Sequence, residues 1–128
     1  DGGKNWNKSF WLHDDQSPTE HGFVSLVAQG DKEFLAIWLD ARNMEKSGNT
    51  ELYARSFDAD GKLGEERRLD HRVCSCCQTS IARSGDRILS VYRDRDAAEI
   101  RDISIVSWED RRWTAPRPCH HDGWKIPG

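Results

Sequence analysis

The chain has 128 residues, of which 36% are apolar, and carries a formal charge of −3 at pH 7. That balance leaves no basic stripe for a nucleic-acid backbone, no run of about 18 to 20 apolar residues for a membrane span, and a thin core for an isolated domain, since about 45 to 50% apolar is usual. Six Trp residues exclude a disordered chain.

In chain order, residues 1–6 (Asp-Gly-Gly-Lys-Asn-Trp) predict a tight hairpin turn whose glycines supply positive φ. Residues 7–12 would be its outgoing strand and 13–21 a polar loop. Strands are expected at 23–28 and 34–39 around a turn at 29–32. Both faces of the second are apolar (Phe34, Ala36, Trp38 and Leu35, Ile37, Leu39), which requires burial on both sides. A charged loop at 40–49 leads to a strand at 50–57, a turn at 58–61 and a polar edge strand at 62–69. The same order then recurs: strand 79–83, turn 84–86, strand 88–92, charged loop 93–101, strand 102–108, turn 109–111 and strand 112–118, with 120–128 opening a further unit. No segment keeps a period of 3.6 over a helix length, so the chain reads as all-β.

The recurrence is visible residue by residue. Ser25 aligns with Ser80, Leu26 with Ile81, Gly30 with Gly85, Asp31 with Asp86, Leu35 with Leu89, Ile37 with Val91, Trp38 with Tyr92 and Asp40 with Asp94. The offset is 55 residues, falling to 54 after a deletion near Glu33. A repeat of roughly 40 to 50 residues or a little more, built of short strands, is how a propeller blade is written. It divides the chain into 1–22 (end of a preceding blade and linker), 23–70 (blade one), 71–118 (blade two) and 119–128 (start of the next).

Asp1, Gly3 and Trp6 stand as in an Asp-box, the Ser/Thr-x-Asp-x-Gly-x-Thr-Trp turn of sialidase-type blades, with Asn5 where Thr is usual and the Ser/Thr missing. Weaker relics are Asp60-Gly61-Lys62-Leu63 and Asp110-Arg111-Arg112-Trp113. With the repeat, the chain resembles about two blades of a sialidase-like (BNR-repeat) β-propeller of bacterial type. The resemblance implies a part of a closed ring, completed by further chain or by copies of itself, with a trimer the first expectation. It implies a structural Asp-box whose aromatic packs between strands. It also implies a carbohydrate-binding or structural module, or alternatively a portion of an exo-sialidase-type glycoside hydrolase. The family's Arg-Ile-Pro motif is absent, so no catalytic residue transfers; Tyr53 matches the family's nucleophile only in being a tyrosine.

In a four-stranded meander, the tight turns share one face and the longer loops the other. The loop face collects the candidate ligand-binding residues Asp40, Arg42, Arg93, Asp94, Arg95, Arg101 and Asp102, together with Glu99. Guanidinium forks suit carboxylates, and carboxylates suit sugar hydroxyls; local ion pairing is the competing role. Cys74, Cys76, Cys77 and Cys119 with His120 and His121 could be disulfide-bonded, free, or a Zn²⁺ or Cu⁺ site. If extended, adjacent Cys76 and Cys77 would point to opposite faces. No other cofactor is suggested, and the compartment stays open, with a secreted or periplasmic setting preferred.

Overall fold

The computed structural model describes residues 2–125. Two antiparallel sheets hold nearly all its regular structure. The first is a meander of β1 (His21–Ala28), β2 (Glu33–Asp40), β3 (Thr50–Asp58) and β4 (Arg67–Val73). The second runs through β5 (Ser80–Ser84), β6 (Arg87–Arg93), β7 (Ile103–Glu109) and β8 (Arg112–Trp113), with β9 (Arg117–Pro118) also paired to β7. A single turn of helix, α1 (Met44–Ser47), lies in the charged loop after β2, and Gly48 ends it at φ 70°. Among the described residues, no helix is long and apolar enough to cross a membrane.

β2 pairs with β3 without interruption from Glu33 opposite Asp58 to Asp40 opposite Glu51, and every β2 residue from Leu35 to Asp40 is buried. The apolar residues on both its faces are the cause. Between the sheets, Leu39, Leu52, Val73, Tyr92 and Val106 form the core, with Phe23, Leu69 and Trp113 packed against them. β1 lies beside β5. There the Thr79 hydroxyl donates to the Phe23 carbonyl at 2.7 Å, and the Ser25 hydroxyl donates to the Thr79 carbonyl at 2.8 Å. Phe23 presents that carbonyl from a bulge in β1, at φ 51°.

Several expectations need correction. Residues 7–12 form no strand, because no neighbouring ladder takes up their backbone. They lie over the first sheet, where Phe10 packs edge-on to Phe57 and the Arg55 guanidinium donates to the Leu12 carbonyl at 3.0 Å and the Asp14 carboxylate at 2.7 Å. Gly2 and Gly3 do take positive φ, but Trp6 is 88% exposed and does not pack between strands; Asp1 lies outside the described residues. The continuous fourth strand begins at Arg67 rather than 62: Leu63 bridges Phe57 and the Gly64 N–H donates to the Ser56 carbonyl of β3, but the register shifts before Arg67 pairs with Ala54. The 112–118 strand is split, because Thr114 turns its side chain to the Ser107 N–H and Pro116 breaks the pairing just beyond it. Of the further unit, one bridge between Ile100 and Lys125 is formed, and 126–128 lie outside the described residues.

The tight turns do share a face: Gln29, Asp58, Asp86 and Arg111 line one cleft of about 550 Å³. In the 58–61 turn, the Asp58 carboxylate accepts the N–H groups of Asp60 and Lys62 at 3.0 and 2.8 Å.

Candidate functional site

At the opposite end of β1 and β2, the 10–19 segment folds over the sheet and leaves a cleft of about 540 Å³. Trp11, Val24 and Trp38 supply apolar wall, and His13, Asp15, Ser17, Thr19 and His21 supply polar groups. Trp11 is 74% exposed, whereas Trp38 is buried. The two imidazoles stack in parallel, 3.8 Å between centroids. Asp15 organises the loop, accepting the Ser17 hydroxyl and N–H and the Thr19 hydroxyl. The Ser17 hydroxyl is the main reason its carboxyl is held down to about 2. His21 donates through Nδ1–H to the Thr19 carbonyl, 3.0 Å away, and its Nε2 lies 3.1 Å from Asp15 and 3.5 Å from Asp40. That Nε2 is buried without an aligned hydrogen bond.

Behind this cleft, Asp40 is completely buried at the end of β2. It accepts the Trp38 indole N–H at 2.8 Å, the Arg42 backbone N–H at 3.0 Å, and two Arg42 guanidinium N–H groups at 2.9 and 2.7 Å. Burial pushes the carboxyl up, but the Arg42 and Trp38 donors more than offset it and hold it below the usual carboxylate range. Arg42 also pairs with Glu66 at 2.7 Å and covers the Tyr53 ring at 4.1 Å. With four donors already on Asp40, the Asp15–His21–Asp40 group has little lone-pair capacity left for a cation. The Tyr53 hydroxyl donates to Glu51 at 3.3 Å, and burial and the Glu51 charge push it above its ordinary value, away from what a phenolate nucleophile requires.

The charged loop after β6 is likewise paired inward. Arg95 grips Glu99 with two nitrogens at 2.8 to 3.1 Å, and Arg101 reaches the same carboxylate at 3.1 Å. Arg95 and Arg101 hold Glu99 down to about 2. Asp94 accepts the Ser104 hydroxyl at 2.8 Å and the Arg95 N–H at 2.7 Å, but burial pushes its carboxyl up. Asp102 has His120 and His121 at 3.7 and 3.1 Å. The seven candidates therefore fall into separate networks: Asp40 and Arg42 beside the cleft, and Arg93, Asp94, Arg95, Arg101 and Asp102 around the second sheet's loop. Trp11, His13, Asp15 and His21 are not singled out by sequence, because the chain's return over the sheet brings them together.

The Cys/His constellation also divides. All four Cys are free thiols. The Cys74 sulfur lies 3.6 Å from that of Cys76 and 3.3 Å from that of Cys77. Residues 75–77 turn instead of extending, so Cys76 and Cys77 reach the same sulfur, contrary to the alternation of an extended chain. Arg93 approaches Cys77 at 3.7 Å. Burial alone would raise the Cys74 thiol, but the Cys76 backbone N–H, the neighbouring thiols and the Arg101 charge lower it overall. Cys119 is exposed, and its N–H bonds Ile103 in the second sheet.

No family model, no curated protein and no solved structure matches this chain.

Proposed function

We propose that the chain is a two-blade unit of a sialidase-like propeller acting as a carbohydrate-binding module, with the sugar seated in the cleft beneath Trp11. The observation that carries this reading is the cleft itself: a largely exposed indole opposite Val24, rimmed by the Asp15 carboxylate and the His13 ring. A pyranose has the same division into apolar C–H faces and polar hydroxyls, and a pocket of mostly apolar lining with few placed polar groups orients such a ligand. Asp15 is ionised above about pH 2, so it is an acceptor for hydroxyls at neutral pH.

The blade assignment draws support from two meanders related by the sequence repeat, stacked through Leu39, Leu52, Tyr92 and Val106, with β1 and β5 side by side. A hydrolase reading is weaker, since Arg42, Arg95 and Arg101 already spend guanidinium donors on Asp40, Glu66 and Glu99.

The test is a calorimetric titration with a panel of neutral and acidic mono- and oligosaccharides, comparing the chain with its Trp11→Ala variant. Saturable binding weakened at least about tenfold by the substitution is expected, the scale of a lost buried contact worth about 1.4 kcal/mol. The melting transition should be nearly unchanged, because Trp11 is an exposed side chain. Failure of every sugar to bind removes the reading, and turnover of a fluorogenic sialoside would replace it with the hydrolase.

A further inference from the structure

We propose that Cys74, Cys76 and Cys77 form a three-thiolate site for one soft monovalent cation, Cu⁺. The three sulfurs already converge: the distances from Cys74 are 3.3 and 3.6 Å, and all three lie within 4.8 Å of one another. A metal–sulfur bond of about 2.3 Å places sulfurs roughly 3.8 to 4 Å apart, so small side-chain rotations admit an ion. A disulfide needs about 2.0 Å between sulfurs, more than 1 Å closer than Cys74 stands to either neighbour, and all three cysteines are free.

The backbone under the site is fixed independently of any metal. Val73 bridges to Asp94, and the Cys74 N–H donates to the Arg93 carbonyl at 2.9 Å, tying the turn to both sheets. Cys74 is buried while Cys76 is exposed, which leaves a route by which an ion can be delivered.

Ligand number and charge select the ion. Zn²⁺ in closed protein sites takes four ligands, and among the described residues no fourth Cys, His or carboxylate joins these three. The Cys119 backbone is held at Ile103 with its thiol exposed, and the rings of His120 and His121 lie beside Asp102, outside the three-sulfur group. Cu⁺ is the soft ion that thiolates select, and it accepts three of them. Three thiolates around one Cu⁺ leave two negative charges. Two guanidiniums lie beside the cluster: Arg93 at 3.7 Å from Cys77, and Arg101, whose charge acts on Cys74 and whose Nε is buried without a hydrogen-bond partner. Binding releases the thiol protons to solvent and leaves copper in the same oxidation state, so no oxidant or reductant is consumed. The site lies apart from the Trp11 cleft and does not depend on the glycan reading.

The experiment is an anaerobic titration of the reduced chain against Cu⁺ held by bicinchoninate, whose colour fades as protein removes the metal. One equivalent per chain, ultraviolet sulfur-to-copper absorption and an X-ray absorption edge with sulfur-only coordination are expected. Cys76→Ser and Cys77→Ser should each weaken binding by more than about tenfold; both side chains lie toward the surface, so the fold survives. Cys119→Ser should bind as the parent does. Copper uptake no greater than that of the Cys76→Ser/Cys77→Ser double variant would overturn the site. An equal loss in Cys119→Ser or His120→Ala would do the same, since it signals a four-ligand site. A Cys74–Cys77 disulfide persisting by mass spectrometry in protein prepared with reductant would also end it.

Discussion

Asp40 and Asp94 occupy matching positions in the repeat and have opposite electrostatic fates. Asp40 is surrounded by four donors from Arg42 and Trp38, whereas Asp94 has Ser104 and the Arg95 N–H but also Asp70 and Asp96 nearby. The residues before them diverge in the same way: the Trp38 indole bonds its own strand's Asp40, while the Tyr92 hydroxyl crosses to Asp70 of the other sheet at 2.6 Å. Asp40→Asn is expected to cost about 2 kcal/mol in urea unfolding at pH 7, because Arg42 loses the carboxylate that takes two of its guanidinium N–H groups and keeps only Glu66 as counter-ion. The pH dependence has two signs. Asp40 titrates below 3.8 in the folded chain, so its contribution is present above that value and is lost as pH falls through the folded pKa. Asp94 titrates above 3.8, so it costs stability progressively as pH rises from that value through its raised pKa. Asp94→Asn should therefore flatten the fall in stability over that upper range, and an unchanged pH profile would contradict this.

At the scale of elements, the two sheets are joined by a few polar contacts beside the apolar core. Thr79→Val keeps the shape but leaves the part-buried Phe23 carbonyl without this donor, and a loss of about 1 kcal/mol is expected. The β7–β8 hairpin carries a different strain: Asp110 and Arg111 both take positive φ, at 48° and 60°, where Asn-Gly is the favoured pair. Arg111→Gly should raise the unfolding midpoint by the equivalent of about 0.5 to 1 kcal/mol, the left-handed penalty less the entropy of a more flexible unfolded chain. Differential scanning calorimetry on both variants separates the effects. The tight turns and most strand positions were legible from Gly and Asp placement and from two-residue alternation. The late start of the fourth strand was not, because the break is a register shift between the Leu63–Phe57 bridge and the Arg67–Ala54 pair, and the charged residues across it suit an edge strand throughout.

For the molecule as a whole, the outer face of the second sheet is the telling surface. Leu89 and Ile103 are each 36% exposed, and Val91 and Ile105, directly paired, are only half-buried. Val24 and Leu26 of β1 are 50% and 58% exposed. Under the propeller proposal these faces receive neighbouring blades, from further chain or from other copies. Size-exclusion chromatography with light scattering is expected to give an oligomer, first of all a trimer, for the 128-residue chain. A compact monomer contradicts self-assembly.

The sequence by itself determined the all-β class, the repeat and the division of tight turns from long loops, because strand period and turn chemistry are local. Of the candidate charges, Asp40 and Arg93 close strands β2 and β6, and Arg42, Asp94, Arg95, Arg101 and Asp102 lie in the stretches that follow those strands. Only the tertiary structure decided between ligand binding and pairing: Asp40 with Arg42 and Arg95 with Glu99 take the local pairing that the sequence offered as the competing role, while the reach of Arg42 to Glu66, 24 residues away, is set by packing. The same holds for the two sites that emerged. The cleft exists because residues 10–19 fold back across β1 and β2, and the thiol cluster because a turn at 75–77 brings Cys76 and Cys77 to one buried sulfur.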